Sequence, residues 1–265
     1  LVSTLSLPPY NFFYFNFISF PLLILFYLNL EIKKKLLSFV YGWIFGFAYF
    51  FSNTYWISNS LTVEDIFKPL IPFAITIIPL FLGIFYGISF FIFHFFKPKK
   101  KIKTIFIFAL IFSFMEYLRG HVLGGFPWNL ISFSIVEIKP FLQILSFIGT
   151  YSLNLLVVSI FLVPSVILFE TTFRAKLFTL FFTVIFVTSN LIFGNHVLKK
   201  HSDEPSSQMD FTIKIISPKI ELKRFFEMSD PSAVIEDLAV LGNIDNKNTV
   251  FIYPEGILPS ISLNE

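Results

Sequence analysis

Cysteine is missing altogether from the 265 residues, which excludes a disulfide, a thiolate metal site or a cysteine nucleophile within them. Charge is scarce as well: 14% of the residues are charged, against roughly 25% in ordinary soluble domains. The four histidines are scattered, with no two at metal-ligand spacing, and no glycine-rich phosphate loop follows a strand. The composition therefore argues against a soluble domain, and it predicts no metal, cofactor or nucleic-acid partner.

The sequence instead contains long apolar runs. Hydrophobic residues make up 55% of the chain, and four uncharged runs each exceed the roughly 20 residues that cross a bilayer core. These runs are Leu36–Val63, Pro69–Phe96, Pro140–Phe169 and Leu177–Leu198. The sequence therefore predicts a polytopic α-helical membrane domain over residues 1–198.

Six membrane spans are predicted within that domain. They lie near residues 10–30, 37–59, 70–96, 102–119, 141–169 and 177–197. Three connections are rich in Lys and Arg, at 31–35, 97–103 and 170–176, and they alternate with the poorer loops 60–68 and 120–139. Because basic loops stay on the cytoplasmic side, residues 199–265 are predicted to be extracytoplasmic.

The last 67 residues differ in character from the rest. Residues 1–198 carry 13 basic and 6 acidic groups, whereas residues 199–265 carry 7 and 11. A polar, turn-rich linker (199–210) precedes an alternating strand at 211–217, a helix that ends at Gly242 and a second strand at 249–253. This βαβ order predicts the first part of an α/β domain over residues 211–265.

Both ends of the chain are expected to be truncations. The sequence does not begin with Met and has no basic region or small-residue cleavage site of a signal peptide. The pattern of loops also predicts a further helix before the first span. We expect the α/β domain to continue beyond residue 265.

Glu255 is the candidate catalytic residue. It follows the second strand in "YPEG", and open α/β sheets carry their functional groups at the ends of strands. An ordinary turn carboxylate is the alternative interpretation.

A second candidate site lies in "MEYLRGHVLGGFPWNLISFS" (115–134). Phe126, Pro127 and Trp128 follow a glycine pair, which is typical of a re-entrant or lipid-binding element, although a lone Trp is more often an interfacial anchor. Glu116 and Arg119 are three residues apart, so they share a helix face and are expected to pair. In the second predicted span, Asn53 and Trp56 are three residues apart, and the amide is expected to bond a neighbouring helix.

Three stretches of the chain are similar to one known family. "GWIFGFAYFFSNTYW" (42–56), "MEYLRGHVLGGFPWNL" (115–130) and "TVFIYPEGILP" (249–259) resemble the apolipoprotein N-acyltransferases. The sequence departs from the family pattern at Lys219, where Asn is common, and at Phe225 or Phe226, where Trp is usual.

The resemblance implies eight membrane helices and a periplasmic nitrilase-like domain, an αββα sandwich inserted before the last helix. It implies a Glu–Lys–Cys set in which Glu255 is the general base, while the Lys and Cys would follow it in the chain. The implied partners are the membrane, a phospholipid acyl donor and a diacylglyceryl-lipoprotein acceptor. The implied location is the bacterial inner membrane, with residues 199–265 on the periplasmic side. The candidate substrate-binding residues are Trp56, Glu116, Arg119, Phe126, Pro127 and Trp128. Of these, Phe126 and Trp128 are expected to line the entry for the acyl chain.

Two other functions stay open on the sequence. A chain without the Lys and Cys would be a non-catalytic membrane module that binds lipid. A transporter is less favoured, since the spans have no internal repeat and no run of intramembrane charges.

Overall fold

The computed structural model describes residues 2–30, 32–62, 64–96, 101–170, 172–203, 211–217, 231–243 and 248–254. The chain divides into two units, residues 1–203 and residues 204–265. The first unit is helical, and the second contains the described strands.

Apolar helices build the first unit. The α-helices are α1 (Asn16–Asn29), α2 (Lys35–Asn53), α3 (Ile71–Phe95), α4 (Lys101–Arg119), α5 (Lys139–Leu142), α6 (Leu145–Phe161), α7 (Val163–Phe169) and α8 (Phe173–Asp203). Shorter 3-10 helices cover Val2–Ser6, Phe13–Phe15, Tyr55–Thr62, Asp65–Leu70 and Ile131–Ile135. By length and composition, four helical segments can cross a membrane: Lys35–Asn53, Asp65–Phe95, Leu145–Phe169 and Phe173–Lys200.

Each of the six predicted spans contains one or more of these helices. The first and fourth fall on α1 and α4, which have 14 and 19 residues, and their crossing of the membrane stays a prediction. The fifth is divided, because Gly149 (φ 74°) interrupts α6 and Pro164 stands in the first turn of α7. In the second, the α-helix ends at Asn53, so Trp56 lies in the following 3-10 helix.

Glycines bring α2 and α3 into close contact. A Cβ atom added at Gly46 would lie 2.8 Å from the Gly83 Cα atom, and one added at Gly87 would lie 2.7 Å from the Phe39 ring. Gly42 and Gly46 are four residues apart, as are Gly83 and Gly87, so each helix presents a small-xxx-small face to the other. Small residues allow this approach in membranes, where van der Waals packing and interhelical hydrogen bonds drive helix association.

We expect Gly46→Leu to destabilise the purified protein, because the new side chain would meet the backbone of α3. Overpacking of this kind costs about 1–3 kcal/mol, which would be measured as a lower thermal midpoint by circular dichroism in detergent. Thr76→Leu adds a similar side chain to an exposed position of α3 and should leave the midpoint unchanged. Equal midpoints for both variants would contradict the role assigned to the glycine contact.

Aromatic rings fill the interior between α1, α2, α3 and α4. The Tyr86 and Phe112 ring centroids are 4.5 Å apart, and Phe90 packs against Phe108 at 5.1 Å. At the other end of the same helices, the Ser38 Oγ atom lies 2.9 Å from the Tyr27 hydroxyl and 3.0 Å from His94 Nδ1. These hydrogen bonds join α1, α2 and α3 around a buried polar group.

The second unit has the predicted βαβ order. Strands β1 (Thr212–Ile215) and β2 (Thr249–Ile252) pair in parallel, with Thr212 opposite Thr249, and α9 (Pro231–Gly242) lies between them in the sequence. Among the helix residues, Val234 and Leu238 are buried, whereas Leu241 is exposed. With two strands in the described part of this unit, a nitrilase-like sandwich stays a prediction.

One lysine holds the end of α9 in the second unit. The Lys214 ammonium group donates a hydrogen bond of 2.9 Å to the Gly242 carbonyl oxygen and lies over the Phe251 ring. A cation at a helix C-terminus also interacts favourably with the helix dipole. Lys214 of β1 therefore contacts the C-terminal end of α9.

Candidate functional site

A buried carboxylate on α4 connects three helices. Glu116 is fully buried, and its Oε1 atom accepts a hydrogen bond of 2.8 Å from the Tyr86 hydroxyl of α3. Its Oε2 atom accepts a hydrogen bond from the Asn154 amide of α6. The Asn154 oxygen in turn accepts the Ser132 backbone N–H at 2.9 Å. A buried charge needs such partners, because an unpaired one costs several kcal/mol.

Arg119 is the cationic partner of Glu116. Its Nη2 atom lies 3.5 Å from Glu116 Oε1, and both side chains are fully buried. The spacing of three residues along α4 makes this pairing geometrically available, as the sequence predicts. The pair contributes no net charge, which reduces the cost of burial in an apolar bundle.

The same arginine binds the chain beyond α4. Its Nη1 atom donates hydrogen bonds to the carbonyl oxygens of Phe126 and Trp128, the latter at 2.9 Å. The guanidinium group also lies over the Phe50 ring, at 5.0 Å from the centroid, and over the Phe126 ring at 5.8 Å. These contacts connect the buried ion pair to the segment 126–128, which we call the aromatic loop.

Glycines shape the turn that leads into the aromatic loop. Gly124 and Gly125 have φ values of 85° and 73°, which favour glycine over residues with a Cβ atom. A Cβ atom at Gly125 would also collide with the Gly120 carbonyl oxygen. The turn allows the Phe126 N–H to reach back to the Arg119 carbonyl oxygen at 2.8 Å.

Asn129 fixes the other end of the aromatic loop to α2. Its amide donates to the Asn53 carbonyl oxygen at 3.0 Å, and its own carbonyl oxygen accepts from the Tyr49 hydroxyl at 3.0 Å. The Trp56 indole N–H donates to the same Asn53 carbonyl at 2.9 Å. Asn53 therefore brings Trp56 and the aromatic loop together through its backbone.

Two cavities meet at a pair of tryptophans. The Trp56 and Trp128 rings make an edge-to-face contact, with centroids 6.4 Å apart. Both line a cavity of about 750 Å³, whose other walls combine polar side chains such as Thr4 and Asn53 with apolar ones such as Leu5. Both also line a cavity of about 540 Å³, whose mostly apolar walls include Phe81 of α3 and also Arg119. We call the first the mixed cavity and the second the apolar cavity.

The tertiary structure places the site residues proposed from the sequence as follows. Glu116, Arg119, Phe126, Trp128 and Trp56 form one connected cluster, and Pro127 lies between the two carbonyls that Arg119 binds. Their functional roles stay predictions. Glu255 lies outside the described residues.

The expectation for the Asn53 side chain was wrong. Its amide donates to the Tyr49 carbonyl oxygen of its own helix at 2.8 Å rather than to a neighbouring helix. The Tyr49 carbonyl lies one helical turn before Asn53, where a short polar side chain can bond to the backbone of its own helix.

Sequence reasoning missed four members of the cluster. Tyr86 and Asn154 bind the carboxylate, and Tyr49 and Asn129 bind the loop. A signal existed for Asn154, because an amide inside a long uncharged run usually has a partner within the bundle. Tyr49 and Tyr86 carry no such signal among so many aromatic residues. Among the described residues, no group of three or more His, Asp or Glu side chains could hold a metal ion.

Comparison with known proteins identifies the family. Residues 1–163 match the family model described as "Apolipoprotein N-acyltransferase N-terminal domain", and this range contains the whole cluster. The chain belongs to the apolipoprotein N-acyltransferase family. The resemblance seen in the three sequence stretches is thereby confirmed.

Several curated relatives of this chain are named apolipoprotein N-acyltransferase. The chain is 27% identical to the protein of Sinorhizobium medicae (strain WSM419), over 98% of this chain and 51% of the relative. It is 28% identical to that of Agrobacterium fabrum (strain C58 / ATCC 33970), over 98% of this chain and 50% of the relative. It is 32% identical to the protein of Rhodopseudomonas palustris (strain ATCC BAA-98 / CGA009), over 63% of this chain and 32% of the relative.

The chain thus spans about half the length of the apolipoprotein N-acyltransferases it matches. Together with the four helical segments that are long and apolar enough to cross a bilayer, this membership indicates a multi-pass membrane protein. In this family member, the Glu116–Arg119 pair and the aromatic loop lie in the N-terminal helical domain.

Proposed function

We propose that this chain acts in the N-acylation of lipoproteins, with a membrane phospholipid as acyl donor and a diacylglyceryl-lipoprotein as acceptor. Family membership carries the proposal, and the apolar cavity beside the aromatic loop supports it. The basic loops at 31–35, 97–103 and 170–176 support an extracytoplasmic position for residues 199–265. The family membership supports the inner membrane of a bacterium as the location, with these residues in the periplasm.

The apolar cavity is suited to a hydrocarbon chain. Ile77 and Phe81 line it and are 57% and 43% exposed, so it opens along the apolar surface of α3. Burying hydrocarbon against such side chains is favourable by about 25 cal/mol per Å². We therefore place an acyl chain of the donor lipid in this cavity, with Phe126 and Trp128 at its opening.

The chemistry is the part of the proposal that rests on the family resemblance. Glu255 would take the proton of a cysteine thiol, and the thiolate would attack the carbonyl carbon of the phospholipid sn-1 ester. The ester C–O bond breaks, and the lysophospholipid alcohol leaves with the proton. The lipoprotein amine then attacks the thioester, its proton passes to Glu255, and the cysteine is released as the thiol.

The lysine and cysteine of this scheme are expected after Glu255, and residues 256–265 contain neither. The lysine would stabilise the oxyanion of each tetrahedral intermediate. The assay therefore uses the complete product of the gene that encodes this chain.

The test measures acylation in a bacterium whose own N-acyltransferase gene is repressed. The N-terminal lipopeptide of one lipoprotein is analysed by mass spectrometry, with and without the gene. We expect the lipopeptide to gain the mass of one amide-linked acyl group only when the gene is expressed. A membrane-inserted product that leaves the mass unchanged would favour the non-catalytic lipid-binding module instead.

The aromatic loop can be tested in the same assay with purified protein. We expect Phe126→Ala with Trp128→Ala to lower kcat/KM for the phospholipid by at least about tenfold, because each buried aromatic contact is worth about 1.5–3 kcal/mol. The control variant Phe178→Ala with Phe181→Ala removes two exposed rings of α8 and should retain wild-type kinetics. Normal kinetics in the loop variant would exclude Phe126 and Trp128 from the lipid path.

A further inference from the structure

The position of Trp128 depends on its backbone as well as its ring. The Trp128 side chain is 52% exposed and its partner Trp56 is 45% exposed, so burial alone holds neither ring tightly. The Trp128 carbonyl oxygen, by contrast, accepts a hydrogen bond from the fully buried guanidinium group of Arg119. The backbone of Trp128 is therefore fixed from the protein interior through this oxygen.

Arg119 is itself held from the protein interior. Its Nη2 atom lies 3.5 Å from Glu116 Oε1, and Tyr86 and Asn154 fix that carboxylate from α3 and α6. Its Nη1 atom reaches carbonyls on both sides of Pro127, a residue that has no N–H to offer them. A rigid planar group can face the carboxylate with one nitrogen and the carbonyls with the other, whereas an ammonium group acts as a point charge.

We propose that Arg119 is a positioning residue that holds Trp128 against Trp56, so that the two rings keep the apolar cavity separate from the mixed cavity. Both rings line both cavities, and so they form a shared wall. Loss of the Arg119 bonds would free the Trp128 backbone and open the wall. That the apolar cavity holds lipid rests on the proposed function, but the position of the wall does not.

The three tryptophans of the chain allow this wall to be observed directly. In the complete gene product labelled with 5-fluorotryptophan, the ¹⁹F resonances of Trp43, Trp56 and Trp128 are assigned with single Trp→Phe variants. Trp43 donates to the Leu80 carbonyl oxygen of α3 and lines neither cavity, so it serves as the internal reference. The protein is placed in phosphatidylglycerol vesicles. One sample contains phosphatidylcholine with a spin label on its acyl chain, and a second sample contains a water-soluble gadolinium chelate in the external buffer.

For Arg119→Lys we expect the Trp128 and Trp56 resonances to shift and the Trp43 resonance to stay in place. The gadolinium chelate and the lipid spin label should then each broaden Trp128 more than in the wild-type protein, because the freed ring becomes more accessible from both cavities. Wild-type shifts and wild-type broadening in this variant would overturn the proposal. The spectra need no turnover, so this outcome is independent of whether the protein transfers acyl groups.

Two further variants separate Arg119 from general loop anchoring. Asn129→Ala cuts the bond to Asn53 but leaves Arg119 in place, so Trp128 should shift less than in Arg119→Lys. An equal or larger shift would assign the positioning to Asn129 and overturn the proposal. If Trp43 indicates that Arg119→Lys does not fold, Glu116→Gln keeps the arginine and removes its counter-charge. In this variant the Trp128 resonance should shift from its wild-type position, and no shift would contradict the proposal.

Discussion

Replacing Glu255 with glutamine in the complete gene product is expected to lower the rate of acyl transfer by about 10²–10⁴-fold. A positioned general base contributes a factor of that size, and glutamine keeps the shape of the side chain while it cannot take a proton. The measurement is the initial rate of lipopeptide acylation at saturating phospholipid. Because the chemical step is affected, kcat should fall with little change in KM.

The matched control for this prediction is Glu236→Gln. Glu236 is an exposed residue of α9 in the same unit, and its substitution removes the same charge, so it should leave the rate at the wild-type value. If Glu255→Gln retained as much activity as Glu236→Gln, Glu255 would be an ordinary turn residue and another group would act as the base.

The second large effect is expected from Glu116→Ala. This substitution removes the acceptor of Tyr86 and Asn154 and leaves the Arg119 charge buried without its counter-ion. Breaking a buried pair in this way costs about 3–5 kcal/mol. We expect a correspondingly large loss in the free energy of unfolding, measured by denaturant titration in mixed micelles.

An exposed ion pair of the same spacing provides the control. The Lys68 ammonium group lies 2.6 Å from Asp65, with side chains 54% and 92% exposed. Exposed pairs contribute about 0–1 kcal/mol, so Asp65→Ala should change stability little. The double variant Glu116→Leu with Arg119→Met should recover part of the loss, because no unpaired charge remains. Equal effects of Glu116→Ala and Asp65→Ala would contradict a structural role for the buried pair.

The aromatic loop illustrates which parts of the site are local in origin. The sequence predicts the glycine turn, the proline and the i, i+3 pair on α4, because a turn and a helix face depend on residues that are neighbours in the chain. The sequence does not predict the partners of the Glu116–Arg119 pair, because Tyr86 and Asn154 lie 30 and 38 residues away from Glu116. Their approach depends on how α3, α4 and α6 pack together.

In the second unit, too, the sequence predicts the secondary structure but not the packing. Alternation of apolar residues predicts β1, β2 and the helix between them, and the parallel pairing of β1 with β2 agrees with that order. In α9, Val234 and Leu238 are buried, whereas Leu241 is 59% exposed although it shares their helical spacing. Helical periodicity defines a face, but the packing partners decide where that face ends.

The sequence by itself determined the membrane class, the positions of the helices, the division into two units and the family, because these follow from composition, local periodicity and short motifs. Only the tertiary structure decided that Arg119 holds the aromatic loop, that Trp56 meets Trp128 and that two cavities adjoin them. The physical reason is distance along the chain. Hydrogen bonds and ring contacts between residues 30 to 80 positions apart exist only after the helices have packed.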